Sequence, residues 1–215
     1  MPNHIKNKML VVGDPVIVSA LMEFIKRTDE GCNSRIDFDN IIRMPESLHG
    51  DLSEEAVQMA KYVYDPSDTR AQWWWSTAVG RFRHPGSMDE NTWAQFVECL
   101  HNLRKFGYAY WRDWAIDKWG TKWNAYDTPD SRDTADTIFF ETAWSSPLPV
   151  FRRLSEIYPD VVIHVEYADE DLGFNCGRAT FSGGDMNHEK MLPGDDAKQF
   201  AISLHYPDGY EEEEE

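Results

Sequence analysis

The chain has 215 residues, of which 41% are hydrophobic and 13% aromatic, and its formal net charge is −17. A composition this rich in apolar and aromatic residues excludes wholesale disorder, because it can bury a core. No apolar run approaches the roughly 20 residues of a membrane helix and no signal-type leader is visible, so a soluble, cytoplasmic protein is expected.

The charge is distributed unevenly. Residues 1–107 carry 12 basic and 15 acidic side chains, whereas residues 108–215 carry 9 and 23. An acidic surface should repel free nucleic acid, whose binding relies on lysine and arginine. It can attract a basic protein instead. Solubility alone is the competing explanation for this charge.

The N-terminal region begins with a predicted strand over 7–13, and a helix is predicted over 14–27. Asp14 suits the N-cap of this helix and Pro15 suits its first turn. Alternating apolar residues then predict a second strand within 35–48.

The middle of the chain is predicted to be helical. One helix has Ser53 as its N-cap, and a long helical stretch covers 87–120. Its apolar residues recur with a period near 3.6, and Gly107 is the expected break. Residues 51–125 are therefore predicted to form a helical block.

The C-terminal region returns to strands. Residues 136–147 are rich in strand-forming residues, and a short helix is predicted within 148–160. Two strands are predicted within 161–184, and one more over 197–206. The acidic tail, 211–215, is expected to be solvated and without fixed structure.

This order of elements predicts an α+β fold. One β-α-β unit near 7–44 and another near 136–168 would form an antiparallel four-stranded sheet backed by two helices, a split β-α-β arrangement. The helical block is then an insertion between the two halves. The domain prediction is a single domain over 1–210, with the insertion at about 51–125 and the tail at 211–215.

Five segments of the chain carry a family resemblance when they are taken together: PNHIKNK, DFDNIIRMPESL, WGTKWNAYD, FFETAWSSPLPVFRRLSEIYPD and YADEDLGFNCG. In this order they resemble the YubB-type ferredoxin-like domain family of plasmid and phage proteins. The resemblance covers the chain from residue 2 to about residue 181. It implies a ferredoxin-like fold and an accessory role in a mobile genetic element. It brings no catalytic residues.

The segment WGTKWNAYD has two interpretations. Trp119 and Trp123 are four residues apart and would share one face of a final helical turn. Lys122 can stack on an indole or reach an acidic partner. Asn124 and Asp127 suit turn hydrogen bonds. The favoured interpretation is an aromatic latch that fastens the helical insertion to the sheet, and the alternative is a ligand pocket.

The segment YADEDLGFNCG contains three consecutive carboxylates, Asp169, Glu170 and Asp171. Carboxylates attract hard cations, but consecutive positions differ from the alternating positions of a calcium loop. A solvated turn is therefore favoured over a metal site, and the three residues are candidate acidic contacts for a partner. An enzyme or small-ligand site would combine Asp171 with Trp119 and Lys122.

The segment TRAQWWWSTAVGRFRHPG is locally basic and aromatic. Trp73, Trp74 and Trp75 cannot all face one core from a single helix or strand. A protein contact or an oligomer interface is favoured, core packing is second, and binding of single-stranded nucleic acid is third. The basic residues around them are Arg70, Arg81, Arg83 and His84.

Catalytic and metal-binding motifs are not recognisable. The three cysteines, Cys32, Cys99 and Cys176, are far apart and suit free buried thiols better than a disulfide framework or a metal site. The seven histidines follow no metal-ligand spacing, and no nucleophile motif is present. No catalytic residue, cofactor or metal is therefore predicted.

Two functions remain open, and a third is weaker. The first is a non-enzymatic acidic protein of a mobile element that binds a basic host or defence protein, with imitation of the charge of DNA as one way of binding. The second is a small-ligand binder or enzyme at the Trp119, Lys122 and Asp171 seam. Direct nucleic-acid binding by the sheet is the third, and the charge opposes it.

Overall fold

The computed structural model describes residues 3–26, 35–77 and 88–210. The chain divides into two compact units: a sheet unit, Met1–Arg43 with Ala115–Glu215, and a helical unit, Met44–Trp114. In chain order the elements are β1 (His4–Val12), α1 (Pro15–Phe24), α2 (Phe38–Ile41), a 3-10 turn (Glu46–Leu48), α3 (Glu54–Tyr64), α4 (Thr69–Thr77), α5 (Glu90–Phe106), α6 (Trp111–Lys118), β2 (Thr137–Ala143), α7 (Leu148–Ile157), β3 (Val162–Asp169), β4 (Gly177–Ser182), β5 (Asp185–Lys190) and α8 (Asp195–His205).

The sheet unit contains a five-stranded antiparallel sheet in the order β2-β1-β3-β4-β5. Strands β2 and β3 both pair antiparallel with β1, so they run parallel to each other on its two sides. Helix α7 connects them. Of the two predicted β-α-β units, the one near 136–168 is present as β2-α7-β3 with β1 between its strands. The unit near 7–44 is wrong, because helix α2 stands where its second strand was predicted.

One face of the sheet carries a continuous aromatic core. Ring contacts run from Phe38 through Phe140 and Phe151 to Phe181, with centroid separations of 6.0, 6.2 and 5.8 Å. All four rings are fully buried. Each such ring pair adds roughly 0.5–1.5 kcal/mol beyond the burial itself. Because α2 supplies Phe38 and α7 supplies Phe151, both helices are held against this face.

The opposite face of the sheet is partly covered by α8. The apolar residues in this contact are Phe139, Ala168, Cys176, Phe200, Ala201 and Leu204. The His205 Nε2 atom lies 3.0 Å from the Ala168 carbonyl oxygen and holds the end of the helix at β3.

The helical unit is built around α3 and α5. The Ser53 hydroxyl accepts a hydrogen bond from the Ala56 N–H, which confirms the predicted N-cap of α3. Gly107 ends α5 with a left-handed φ of 82°, which confirms the predicted break. Buried residues from both helices, including Met59 and Cys99, form the core of this unit.

The predicted strand within 35–48 is wrong. The chain forms the short helix α2 there, because the Asp37 carboxylate caps it by accepting from the Asp39 N–H. Phe38 and Ile41, three residues apart, both point into the core.

The predicted strand over 197–206 is also wrong. Ala197, Phe200, Ala201 and Leu204 are buried at helical spacing, and they belong to α8.

The predicted sheet had four strands, and the fifth, β5, was missed. All six residues of β5 are exposed, so no apolar alternation marks it. Its place is set by the hairpin turn at Gly183 and Gly184, where both φ angles are positive and Ser182 pairs with Asp185.

Candidate functional site

The segment Trp119–Asp127 begins where α6 ends, at Lys118. The prediction that Trp119 and Trp123 share a face of one helical turn is therefore wrong. Gly120 takes a left-handed φ of 79°, and its N–H bonds back to the Ala115 carbonyl, which terminates the helix.

Trp119 belongs to the core of the sheet unit. Its indole Nε1 donates to the Ile42 carbonyl oxygen at 2.8 Å, and its ring packs edge-on against Phe38. This contact ties the segment after the helical unit to the α2 region before it. Gly120 lies against Pro149 at the start of α7, where an added Cβ would be 2.7 Å from the proline Cδ.

Asn124 also holds the segment in place. Its side-chain oxygen accepts from the Phe38 N–H at 3.0 Å and from the Ala125 N–H at 2.9 Å. Its amide nitrogen donates to the Asp37 carboxylate at 2.6 Å. Both ends of this amide are therefore used by the fold.

Lys122 lies between two tryptophans. Its ammonium is 4.4 Å from the centroid of Trp123 and 4.9 Å from that of Trp144. Of the two contacts expected for Lys122, stacking on an indole is therefore present. Trp144 was not singled out by the sequence, although it stands in the segment AWSSP.

Trp144 has an unusual backbone for a large side chain. Its φ is 76°, in the left-handed region, and its side chain is 45% exposed. A bulky residue at positive φ is uncommon, because the Cβ approaches the neighbouring carbonyl. Asp127 and Asn175 also have positive φ angles, of 54° and 44°.

A ring of hydrogen bonds holds Trp144. Its N–H donates to the Asn3 carbonyl at 2.9 Å, and its own carbonyl accepts from the Asn175 amide at 3.1 Å. Both asparagine amides also donate to the Asp169 carboxylate, at 3.0 Å and 3.4 Å. Asp169 therefore closes a ring that runs through the backbone of Trp144.

The three consecutive carboxylates have different surroundings. Asp169 is only 5% exposed and also accepts from the Asp171 N–H at 3.0 Å, so the expectation of a solvated residue is wrong for it. Glu170 and Asp171 are exposed, and Glu170 accepts from the His4 N–H at 3.0 Å. We call Asn3, Lys122, Trp123, Trp144, Asp169 and Asn175 the Trp144 site.

The buried Lys6 is the centre of an ion network that includes Asp127 of the segment WGTKWNAYD. The Lys6 ammonium is 3.0 Å from Asp130 and 3.3 Å from Asp127. Hydrogen bonds from Arg132 are the main reason that the pKa of Asp130 is well below its usual range, and Lys6 lowers it further against the effect of burial. Burial first, and then nearby carboxylates, raise the pKa of Tyr126, whose hydroxyl lies 2.7 Å from His4 Nδ1.

The WWW segment lies on α4 of the helical unit. Trp73 is 67% exposed and Trp74 is half-buried. The side chain of Trp75 lies outside the described residues, as do Arg81, Arg83, His84, Cys32 and the acidic tail. Within the described part of the chain, no three His, Cys, Asp or Glu side chains are grouped so that they could hold a metal ion.

Residues 118–215 match a family model described as a ferredoxin-like domain in Api92-like protein. The fold is ferredoxin-like. This match agrees with the split β-α-β arrangement of the sheet and confirms the predicted α+β class. In the ranges 3–26, 35–77 and 88–210, none of the helices has the length and apolar character needed to cross a membrane.

Among solved structures, the chain is similar to the crystal structure of protein api92 from Yersinia pseudotuberculosis. The identity is 12%, the alignment covers 91% of this chain and 100% of that one, and the TM-score is 0.44. No curated protein matches the chain.

Proposed function

We propose that this protein is a non-enzymatic interaction protein that binds a basic host or defence protein through the carboxylate-rich surface of its sheet unit. The observation that supports the proposal is that basic side chains of this unit are bound within the unit. Ion pairs of 2.9 to 3.2 Å join Lys8 and Arg178 to Glu166, Lys6 and Arg132 to Asp130, and Arg153 to Glu156.

Solvent-exposed carboxylates remain on the surface of the same unit: Asp160, Glu170, Asp171, Asp185, Glu189, Asp195, Asp196 and Asp208. Because the paired cations face carboxylates of their own chain, the excess negative charge is presented to solvent. A negative surface raises the association rate of a positive partner and excludes like-charged partners.

The proposed setting is an accessory role in a plasmid or phage, with a basic nucleic-acid-binding protein of the host as the target class. It rests on the YubB-type resemblance of the five segments and on the charge. In this setting the protein would occupy a surface that otherwise binds DNA, and DNA mimicry is the proposed form of the binding.

The test is capture of bacterial lysate proteins on the immobilised full chain, followed by purification of the captured protein and measurement of its Kd at several salt concentrations. We expect a basic protein whose Kd rises steeply with salt, since charges are screened over roughly 8–10 Å at physiological ionic strength. Duplex DNA should compete with the chain for this protein. Polyglutamate on the same support is the control. The proposal fails if both supports retain the same proteins equally.

A ligand-binding or enzymatic function at Trp119, Lys122 and Asp171 stays a prediction. Trp119 already donates its indole N–H to Ile42, and Lys122 stacks on tryptophan rings. If Lys122→Ala retains both the fold and the biological effect, this alternative loses its principal residue.

A further inference from the structure

Apolar side chains are exposed together at the end of the sheet where β2 and β3 finish. Trp144 is 45% exposed and Phe174 is 52% exposed. Their backbones lie near each other, because the side-chain amide of Asn175, next to Phe174 in the chain, donates to the Trp144 carbonyl at 3.1 Å. Leu192, 85% exposed, follows Met191, whose N–H donates to the Cys176 carbonyl of the same turn.

Exposed carboxylates lie in the same turn as Phe174 and at the start of the helix packed on it. Glu170 and Asp171 precede Phe174 in the turn between β3 and β4. The same turn packs on the start of α8, because the Cβ position of Gly173 lies 3.4 Å from the backbone of Lys198. The first turn of α8 adds Asp195 and Asp196, both exposed. We call these exposed apolar residues and the four carboxylates the acidic–aromatic patch.

We infer that the acidic–aromatic patch is the docking surface for a basic protein segment that combines arginine or lysine with apolar side chains. The apolar side chains would pack on Trp144 and Phe174, and the cations would pair with the four carboxylates. An exposed apolar centre with a charged rim is the usual anatomy of a protein interface. Tryptophan is also among the residues that contribute most to binding. The inference rests on the proposed function and places the partner on the molecule.

Charge favours a basic segment of another protein over a second copy of the same chain as the molecule bound at this patch. Each copy carries a net charge of −17, and self-association through this patch would bring Glu170, Asp171, Asp195 and Asp196 of both copies together. Like charges across an interface disfavour the complex, whereas a cationic segment is attracted. Among the cations near the patch, Lys122 is stacked against Trp144.

The test measures fluorescence anisotropy of a labelled peptide that repeats Arg-Gly-Leu, with the full chain as the binder. The matched peptide has citrulline in place of arginine, which keeps the shape and removes the charge. Trp144→Gly removes the ring while glycine accepts the positive φ. Trp93→Ala is the control, because Trp93 is 43% exposed and lies on α5 of the helical unit. Circular dichroism checks the fold of both variants.

We expect the arginine peptide to bind and the citrulline peptide to bind at least about tenfold more weakly, as for a complex that depends on charge pairing. Trp144→Gly should weaken the arginine peptide about fivefold to thirtyfold, whereas Trp93→Ala should leave it unchanged. Glu170→Gln with Asp171→Asn should weaken binding more than Asp185→Asn with Glu189→Gln on β5.

Equal binding of the arginine peptide by the Trp144 and Trp93 variants would overturn the inference. The proposed function would then be decided by the lysate capture alone. Binding of neither peptide would also overturn it. So would a dimer in light scattering that Trp144→Gly dissociates, because the patch would then belong to a second copy. If lysate capture fails while the peptide results hold, the proposed function fails and the patch stays a peptide-binding surface.

Discussion

At most positions a protein with alanine is more stable to unfolding than the same protein with glycine. At position 144 we expect the opposite order. In an ordinary strand or helix position, glycine is less stable than alanine by roughly 0.5–1 kcal/mol, because the unfolded chain gains freedom. At the φ of 76° that Trp144 adopts, a residue with a Cβ is strained by roughly 1–2 kcal/mol and glycine is not. We therefore expect Trp144→Gly to be more stable than Trp144→Ala by about 1 kcal/mol.

Both variants should be less stable than the natural chain. About half of a tryptophan surface of roughly 200 Å² is buried here, which corresponds to about 2.5 kcal/mol at 25 cal/mol per Å². The contact between the ring and Lys122 adds roughly 0.5–1 kcal/mol. In Trp144→Gly, but not in Trp144→Ala, relief of the backbone strain offsets part of this loss in the free energy of unfolding. We expect Trp144→Gly to lose about 2 kcal/mol and Trp144→Ala about 3 kcal/mol relative to the natural chain.

Urea unfolding followed by far-ultraviolet circular dichroism measures these differences. Asn187 on β5 is the control position, because it is exposed and in a strand, so Asn187→Ala should be more stable than Asn187→Gly. If Trp144→Ala equals or exceeds Trp144→Gly in stability, the left-handed strain at Trp144 is refuted. The view that the hydrogen bonds through Asn3, Asn175 and Asp169 hold Trp144 in an unfavourable backbone conformation is then refuted too.

Three further perturbations test the surroundings of the Trp144 site. Gly120→Ala should cost at least about 2–3 kcal/mol in urea unfolding, because its Cβ meets the proline of α7, whereas Gly107→Ala, with equally positive φ but open space, should cost only about 1 kcal/mol. Asp169→Asn should cost about 1–3 kcal/mol and shift the Trp144 indole signal in an NMR spectrum, because the new amide faces the donor amide of Asn175. The pKa of Asp130 is lowered in the folded chain, so its contribution is complete above the unfolded pKa of about 4 and is lost as pH falls through the folded pKa. Stability should therefore drop from about pH 5 downward, and Asp130→Asn should flatten that drop; an unchanged pH profile would contradict the pairing.

Much of the fold was predictable from local signals. Asp14 accepts from the Val16 N–H at 2.9 Å and Ser53 caps α3, as their positions before apolar periodic residues indicated. Gly107 ends α5 in the left-handed conformation. These features depend on residues a few positions apart, and such short-range interactions can be predicted from the sequence.

The misassigned elements contain short apolar runs that fit both the two-residue period of a strand and the 3.6-residue period of a helix. Ile36 and Phe38 alternate like a strand, but Phe38 and Ile41 also have helical spacing, and the Asp37 cap decides for the helix. In α8 the burial of Ala197 and Phe200 follows helical spacing that a strand interpretation overlooked. Strand β5 carries no apolar pattern, so only its hairpin turn could have indicated it.

The candidate site was less predictable, because its parts are far apart in the chain. Lys122 and Asp169 were singled out from separate segments, and the structure brings both to Trp144. The residue that joins them, Trp144, has no local signal, since the residues that bond to its backbone are Asn3 and Asn175. Those partners are separated from Trp144 by 141 and 31 positions in sequence.

Gly120 divides the segment WGTKWNAYD into two parts with different surroundings. Before the turn at Gly120, Trp119 is directed into the core and bonds to Ile42; after it, Lys122 is directed to the exposed ring of Trp144. A structural role explains Trp119, but it does not explain why the Trp144 ring stays 45% exposed. Glycine would relieve the strain at that position, but the buried half of the ring and its contact with Lys122 outweigh this gain by about 2 kcal/mol. The exposed half of the ring contributes nothing to this balance, and the proposed contact with a basic segment would use it.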